Sequence, residues 1–188
     1  MKILGLHGPK GCGKSTFAKV LVEKYGFERL SFAEPIKRML IAMGVPEHCI
    51  NDPVLKETPL QDLKVTPRFL MQTLGTEWMR KTVDPLGWVR VAESRLRAGG
   101  NRYWVIDDVR FVNETEMIHT LGGKVIKLDA PIENKDNHPS EQELPAEEVD
   151  FRITDYWGVD PVETVTNFLE VGSNGAFMPK ELSLGAGQ

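Results

Sequence analysis

The eight residues Gly8-Pro9-Lys10-Gly11-Cys12-Gly13-Lys14-Ser15 constrain this chain more than any other feature of it. They fit G-x-x-x-x-G-K-[ST]. On one side stands a short apolar run, Lys2 to Leu6; on the other stands FAKVLVEKYGF, in which Phe17, Val20, Leu21 and Tyr25 recur at helical spacing before Gly26. Strand, glycine loop and helix in immediate succession is the context that gives the pattern meaning. Glycines let successive backbone N–H groups turn inward around an anion, and the following helix adds its positive dipole end. In such a loop the backbone around Gly11, Cys12, Gly13, Lys14 and Ser15 surrounds the phosphates of a nucleotide. Lys14 reaches the β- and γ-phosphates, and the Ser15 hydroxyl is placed for Mg²⁺. Cys12 is read as a small loop filler, although a thiol at a helix N-terminus can be acidified.

The rest of the chain suits one α/β domain. Its 188 residues are 41% apolar and 27% charged, enough for a real core. Two cysteines, Cys12 and Cys49, make no disulfide framework, and no apolar run is long enough for a signal peptide or a membrane helix. The expectation is a cytoplasmic protein. With 23 Lys and Arg against 27 Asp and Glu, the net charge of −4 argues against a nucleic-acid polymer as partner.

Apolar runs alternate with helical patterns. Leu30 to Ala33 reads as a second strand, EPIKRMLIAMG as a helix, Val45 to Val65 as irregular, and Thr66-Pro67 as a helix start with a hydroxyl cap. In that helix Phe69, Leu70 and Leu74 fall on one side, and Arg68 and Gln72, four apart, share the other. A further helix covers Gly87 to Ala98, with Val89, Ala92 and Leu96 as its inner stripe. Then follow a strand in YWVID, a helix from Asn113 to Leu121, a strand in KVIKLD, a polar stretch from Pro131 to Glu148, a strand from Phe151 to Thr154 and a helix from Pro161 to Val171. The βαβα order predicts a parallel sheet core flanked by helices on both faces. The expected division is one domain over 1–171, with a helical region at 34–98, a lid at 131–148 and a loose tail at 172–188.

A phosphate-binding loop does not define a reaction. Asp84-Pro85-Leu86-Gly87 and Asn134-Lys135-Asp136-Asn137 imitate switch-GTPase motifs. The first is not at the end of an apolar strand, and the second has its aspartate one position early. A kinase reading explains more, because it needs cations around a second anion site. Arg68 and Gln72 supply a polar helix face, and Arg80 and Arg110 are further candidates. Asp107 and Asp108 follow the core of their strand, so they lie at the carboxyl edge of the sheet, where open α/β folds bind ligands. Glu114 shares an inward stripe with Met117, Ile118 and Leu121, so it needs a partner. Arg110 or Arg68 is one answer, and the helix dipole is the other.

At this point the chain resembles the phage-type deoxynucleoside monophosphate kinases, a branch of the P-loop nucleotide kinases. The likeness runs from residue 3 to about 169, through GPKGCGKSTFAKVL, SFAEPIK, TPRFLMQTLGTEWMR, WVIDDVRFVNE and HPSE. It implies a nucleotide kinase fold with monophosphate-binding and lid insertions. The implied activity is transfer of the γ-phosphoryl group of ATP to a dNMP, with Mg²⁺, for DNA precursor synthesis. It assigns Lys14, Ser15 and Thr16 to the ATP phosphates and metal, and Arg68, Gln72, Gly75, Thr76, Trp88 and Arg110 to the dNMP, with Trp88 as a possible base-stacking ring. Asp108 would position Mg²⁺ or its water shell, and Arg110, oriented by Glu114, would stabilise charge between donor and acceptor. The chain departs from the usual pattern in a lid that offers only Lys135 and His138 as cations. A homodimer is the common default for soluble enzymes. The competing readings are another small-molecule P-loop kinase, such as one acting on dephospho-coenzyme A, and a nucleotide-binding switch module with no acceptor-dependent turnover. His7, His48 and His119 carry no usable signal.

Overall fold

The computed structural model describes residues 2–131, 138–139, 142–154, 156–174 and 176–177. Along the chain lie β1 (Lys2–His7), α1 (Lys14–Tyr25), β2 (Glu28–Leu30), α2 (Glu34–Ala42), α3 (Glu47–Asn51), a 3₁₀ turn (Leu55–Glu57), α4 (Pro67–Gln72) and a π-helical stretch (Thr73–Val83). There follow α5 (Gly87–Ala98), β3 (Tyr103–Ile106), α6 (Val112–Thr120), β4 (Lys124–Leu128), a 3₁₀ turn (Ala146–Glu148), β5 (Phe151–Ile153), α7 (Pro161–Asn167) and a short π-helical end (Phe168–Gly172). The chain forms two compact units. One joins Met1–Leu30 to Glu93–Gln188, and the other is Ser31–Ala92.

The first unit is built on a five-stranded sheet in the order β2-β3-β1-β4-β5, every pair parallel. Leu4 and Leu6 of β1, Val105 of β3 and Ile126 and Leu128 of β4 point to one face. There they pack with Phe17, Ala18 and Leu21 of α1 and with Val165, Phe168 and Leu169 near the C-terminus. The opposite face meets α6: a Cβ built on Gly5 would lie 2.7 Å from the Ile118 Cδ1. A sheet covered on both faces explains strands that read as apolar runs rather than alternating patterns. The predicted parallel sheet with helices on both faces is what forms. The second strand differs, occupying Glu28–Leu30 instead of Leu30 to Ala33, with Leu30 in register with Ile106.

Asp150 closes the far end of the sheet. Its carboxylate accepts from the Lys124 ammonium at 2.6 Å, the Val125 amide at 2.8 Å and the His119 ring at 2.9 Å, tying together β4, α6 and the entry to β5. Burial alone would raise its pKa, but the bonds from Lys124, Val125 and His119 prevail and hold it below the ordinary value. A carboxyl group lowered in the folded state stabilises above its unfolded pKa and loses that contribution as pH falls through the folded one. Asp150→Asn is therefore expected to lower the melting temperature by a few degrees at pH 7, with the gap to wild type closing below about pH 4. Thermal melts across pH 3 to 8 test this.

The packed chain continues past the boundary expected at Gly172. The Ser173 hydroxyl donates to the Leu169 carbonyl at 2.8 Å. Phe177 is buried in the main cluster, and the Lys2 ammonium bonds the Ala176 carbonyl. Residues 178–188 of the expected tail lie outside the described residues, as do 132–137 and 140–141 of the expected lid. Within that lid span, Leu144 is buried and the Thr115 hydroxyl of α6 donates to Glu148.

The second unit has a small core of Leu40, Val45 and Ile50, against which Leu60, Leu70, Met71 and Leu74 pack. α4 starts as its sequence predicts: the Thr66 hydroxyl accepts from the Phe69 amide at 3.0 Å and Pro67 takes the first helical position. From Thr73 onward the winding is π-helical, so spacing arguments built on 3.6 residues per turn drift. Phe69, expected on the inner side, is 54% exposed. The segment expected to be irregular contains α3 and the 3₁₀ turn at Leu55–Glu57.

Candidate active site

β1 ends at His7 and the chain turns at Gly8, whose φ is +142°. A Cβ there would lie 2.7 Å from the Leu128 carbonyl oxygen and 2.8 Å from the Cys12 sulfur, so no larger residue fits. Gly13 caps α1 at φ +93° and offers no side chain to its first amides. That leaves the N-terminus of the helix to whatever anion the loop receives. Gly11 lies at the exposed tip, and Ser15 and Thr16 are exposed in the first turn of α1.

Lys14 is only 8% exposed. Its ammonium donates to the Gly8 and Pro9 carbonyls, both at 2.7 Å, and lies 3.5 Å from the Cys12 sulfur. Cys12 is fully buried, as a loop-filling side chain should be. Its carbonyl accepts the Tyr156 hydroxyl at 2.7 Å, which pins the loop to the segment before α7. Burial, foremost, holds the Tyr156 phenol well above its ordinary pKa, so it stays a donor.

Beside β1, the end of β3 brings its acids to the same sheet edge. Arg29 of β2 is in register with Val105, and its guanidinium bonds Asp107 Oδ2 at 2.6 Å. The two therefore share the face of the sheet that carries α1. Asp107 is 4% exposed, and among the described residues its buried Oδ1 meets no hydrogen-bond partner. Asp108 is half-buried. Arg110 Nη1 lies 3.5 Å from the Gly8 carbonyl, the atom that Lys14 also meets. Glu114 is 1% exposed, and its Oε2 accepts from the backbone amides of Arg110 at 2.6 Å and Phe111 at 3.1 Å. The inward carboxylate thus holds the backbone at Arg110 and caps the start of α6.

Three side chains with no signal in the sequence enter this site. One is Tyr156. The second is Lys127, buried on β4 with its ammonium 2.7 Å from Glu143 and 3.0 Å from Asp129. The third is His7, bonded to Val109 and Leu144. The His7 and Tyr156 contacts join segments more than 100 residues apart, and Lys127 reaches Glu143 16 residues on. Of the two lid cations, His138 is half-buried and Lys135 lies outside the described residues.

In the second unit Arg68 and Gln72 stand one turn apart on α4, both half-buried, and Arg68 Nε bonds Glu57 at 2.5 Å. Thr76 is buried, and a Cβ on Gly75 would come 3.0 Å from the Ile36 Cδ1. Trp88 is only 5% exposed and its indole N–H donates to the Gly75 carbonyl at 2.9 Å. The indole of α5 is thereby tied to the π-helical stretch at Gly75. Arg80 reaches the Pro85 carbonyl at 3.4 Å. Asp84 of the GTPase-like D-x-x-G makes an ordinary turn: it accepts from the Leu86 amide at 2.8 Å and faces Arg90 at 3.1 Å.

The donor set suits Mg²⁺ arriving with phosphates. Among the described residues no three His, Cys, Asp or Glu side chains converge into a metal cage. Hard oxygens are present instead in the exposed Ser15 hydroxyl and the half-buried Asp108 carboxylate, and Mg²⁺ is commonly held by such a minimal set plus substrate oxygens.

The family model for deoxynucleotide monophosphate kinase matches residues 50–162. A protein of Acanthamoeba polyphaga mimivirus named after the same activity is 35% identical over 161 residues, spanning 77% of this chain and 82% of that protein. This chain belongs to the deoxynucleotide monophosphate kinase family. The deoxynucleoside-5′-monophosphate kinase of Escherichia phage T5 is 30% identical over 141 residues, 69% of this chain and 55% of that enzyme. Among solved structures, shikimate kinases from Acinetobacter baumannii and Aquifex aeolicus superpose with TM-scores of 0.54 and 0.51 at 15% and 14% identity. Each superposition covers over nine tenths of both chains, 93% and 94% for the first and 94% and 99% for the second. At that identity they support the P-loop kinase fold, and the family match carries the chemistry. No described helix is long and apolar enough to cross a membrane.

Proposed function

We propose that this member of the deoxynucleotide monophosphate kinase family transfers the γ-phosphoryl group of ATP to the 5′-phosphate of a deoxynucleoside monophosphate, giving the diphosphate and ADP, with Mg²⁺. The observation that carries the reading is the convergence of two cations, Lys14 and Arg110, on the Gly8 carbonyl at the mouth of a phosphate-binding loop. When bound, Mg²⁺ supplies charge neutralisation between the β- and γ-phosphates. Ser15 would hold it, with Asp108 taking its water shell.

The acceptor is already a phosphate oxygen, so the chain needs no strong base. Its residues bind, align and neutralise. Backbone amides of Gly11 to Thr16 and the α1 dipole receive the donor phosphates. Lys14 exchanges its carbonyl partners for phosphate oxygens, and Arg110, on a backbone held by Glu114, balances the negative charge shared by donor and acceptor. In the other unit Arg68 leaves Glu57 for the monophosphate, Gln72 reads sugar or base, and Gly75 and Thr76, supported by Trp88, shape the pocket floor.

The experiment is ADP production with Mg·ATP and each of four dNMPs, four NMPs, dephospho-coenzyme A and no acceptor. Turnover that requires a dNMP is expected. Hydrolysis indifferent to every acceptor would replace the kinase reading with the switch module. In the same assay Arg68→Ala is expected to raise the KM for dNMP about 10- to 100-fold, the worth of one charge-assisted Arg–phosphate pair, while the KM for ATP stays within about twofold.

A further inference from the structure

His7 is the last residue of β1, 3% exposed, next to the glycine that opens the phosphate-binding loop. Its Nδ1 lies 3.1 Å from the Val109 carbonyl, and the Leu144 amide lies 3.3 Å from its Nε2. A carbonyl only accepts and an amide N–H only donates, so the two bonds together require a proton on Nδ1 and a lone pair on Nε2. Burial, foremost, lowers the His7 pKa to about 4. The Val109 carbonyl acts against that, and the positive charges of Arg110, Lys14 and Lys127 add to it. The imidazole is therefore uncharged at neutral pH, as the two bonds demand.

The carbonyl that His7 holds belongs to the peptide unit joining Val109 to Arg110. The N–H of that same unit donates to Glu114 Oε2 at 2.6 Å. One peptide plane is thus gripped at both ends, by His7 on its oxygen and by Glu114 on its nitrogen. The residue it delivers is Arg110, whose side chain turns back to the carbonyl of Gly8, the neighbour of His7. We infer that His7 is a positioning residue for Arg110: its Nδ1–H fixes the Val109–Arg110 peptide and thereby aims the guanidinium at the phosphate-binding loop. A peptide held only by Glu114 would pivot about that single bond, and small misplacements of a charge-stabilising group are costly in phosphoryl transfer. This inference rests on the kinase reading for its effect on rate, but not for its effect on the peptide.

Asparagine places an amide N–H close to the position of Nδ1, glutamine extends an acceptor toward the Nε2 position, and leucine offers neither. His7→Leu and His7→Gln are expected to lower kcat about tenfold or more, with both KM values within about threefold, whereas His7→Asn keeps kcat within about threefold of wild type. In an Arg110→Ala background the leucine change should cost less than about twofold further, because a residue acting through Arg110 has nothing left to aim. Amide exchange at Arg110 should quicken about tenfold or more in the leucine and glutamine variants and not in the asparagine variant. Where His7→Leu does not fold, the Gln and Asn pair carries the test. Multiplicative losses of His7→Leu and Arg110→Ala, an asparagine variant as impaired as glutamine, or unchanged Arg110 exchange would each overturn the inference. A wild type that turns over no dNMP while its variants still show the exchange pattern would overturn the kinase reading and leave His7 as the holder of that peptide.

Discussion

Lys14→Ala is expected to lower kcat/KM by about three orders of magnitude or more with the fold intact. The ammonium is buried and bonded to two carbonyls of its own loop, so its strongest interactions lie within the phosphate site rather than in the core. The alanine variant loses two charge-assisted bonds, each with a net value of about 1.5–3 kcal/mol at most, but leaves no buried charge unpaired. Circular dichroism showing the wild-type secondary structure, a melting temperature lowered by several degrees, and lost phosphoryl transfer are the expected results. Lys14→Arg should not rescue the activity, because a forked guanidinium does not fit where a compact ammonium is enclosed by Gly8, Pro9 and Cys12. Turnover of Lys14→Ala within tenfold of wild type would remove Lys14 from the phosphate site.

Arg110→Ala is expected to lower kcat about 100- to 1000-fold, with smaller changes in either KM, since it removes positive charge where negative charge is shared between donor and acceptor. The backbone amide of Arg110 bonds Glu114 and the Val109 carbonyl bonds His7, and neither contact needs the Arg110 side chain. Arg110→Lys should recover only part of the rate, because one ammonium cannot span two phosphates as a planar fork does. Single-turnover rates with saturating Mg·ATP and dNMP separate the chemical step from binding. A KM effect alone, with kcat unchanged, would recast Arg110 as a plain substrate-binding residue.

Much of the site was legible where the determinants are local. The loop from Gly8 to Ser15, its flanking strand and helix, the glycine cap at Gly26 and the Thr66-Pro67 helix start each depend on neighbours within a few residues. So does the placement of Asp107 and Asp108 just past an apolar strand. The inward stripe of α6 marked Glu114 as buried, but the choice between an arginine side chain and the helix N-terminus turned on an entry angle that spacing does not carry. The structure shows backbone amides as its partners, one of them the amide of Arg110 itself. Phe69, expected inside, is 54% exposed, and the indole N–H of Trp88 is spent on the Gly75 carbonyl, a contact that helical spacing does not reveal.

The sequence by itself determined the residue types: a G-x-x-x-x-G-K-S loop between a strand and a helix, and acids just past an apolar strand, written at short, fixed spacing. Tertiary structure decided how those groups are held. His7 meets Val109 and Leu144, and Tyr156 meets Cys12, across separations of 102, 137 and 144 residues. The order β2-β3-β1-β4-β5 puts the ends of β1, β3 and β4 side by side, so residues remote in the chain share one edge. Hydrogen bonds are satisfied by whatever lies within about 3 Å once the sheet has formed, and that neighbourhood belongs to the fold rather than to any stretch of sequence.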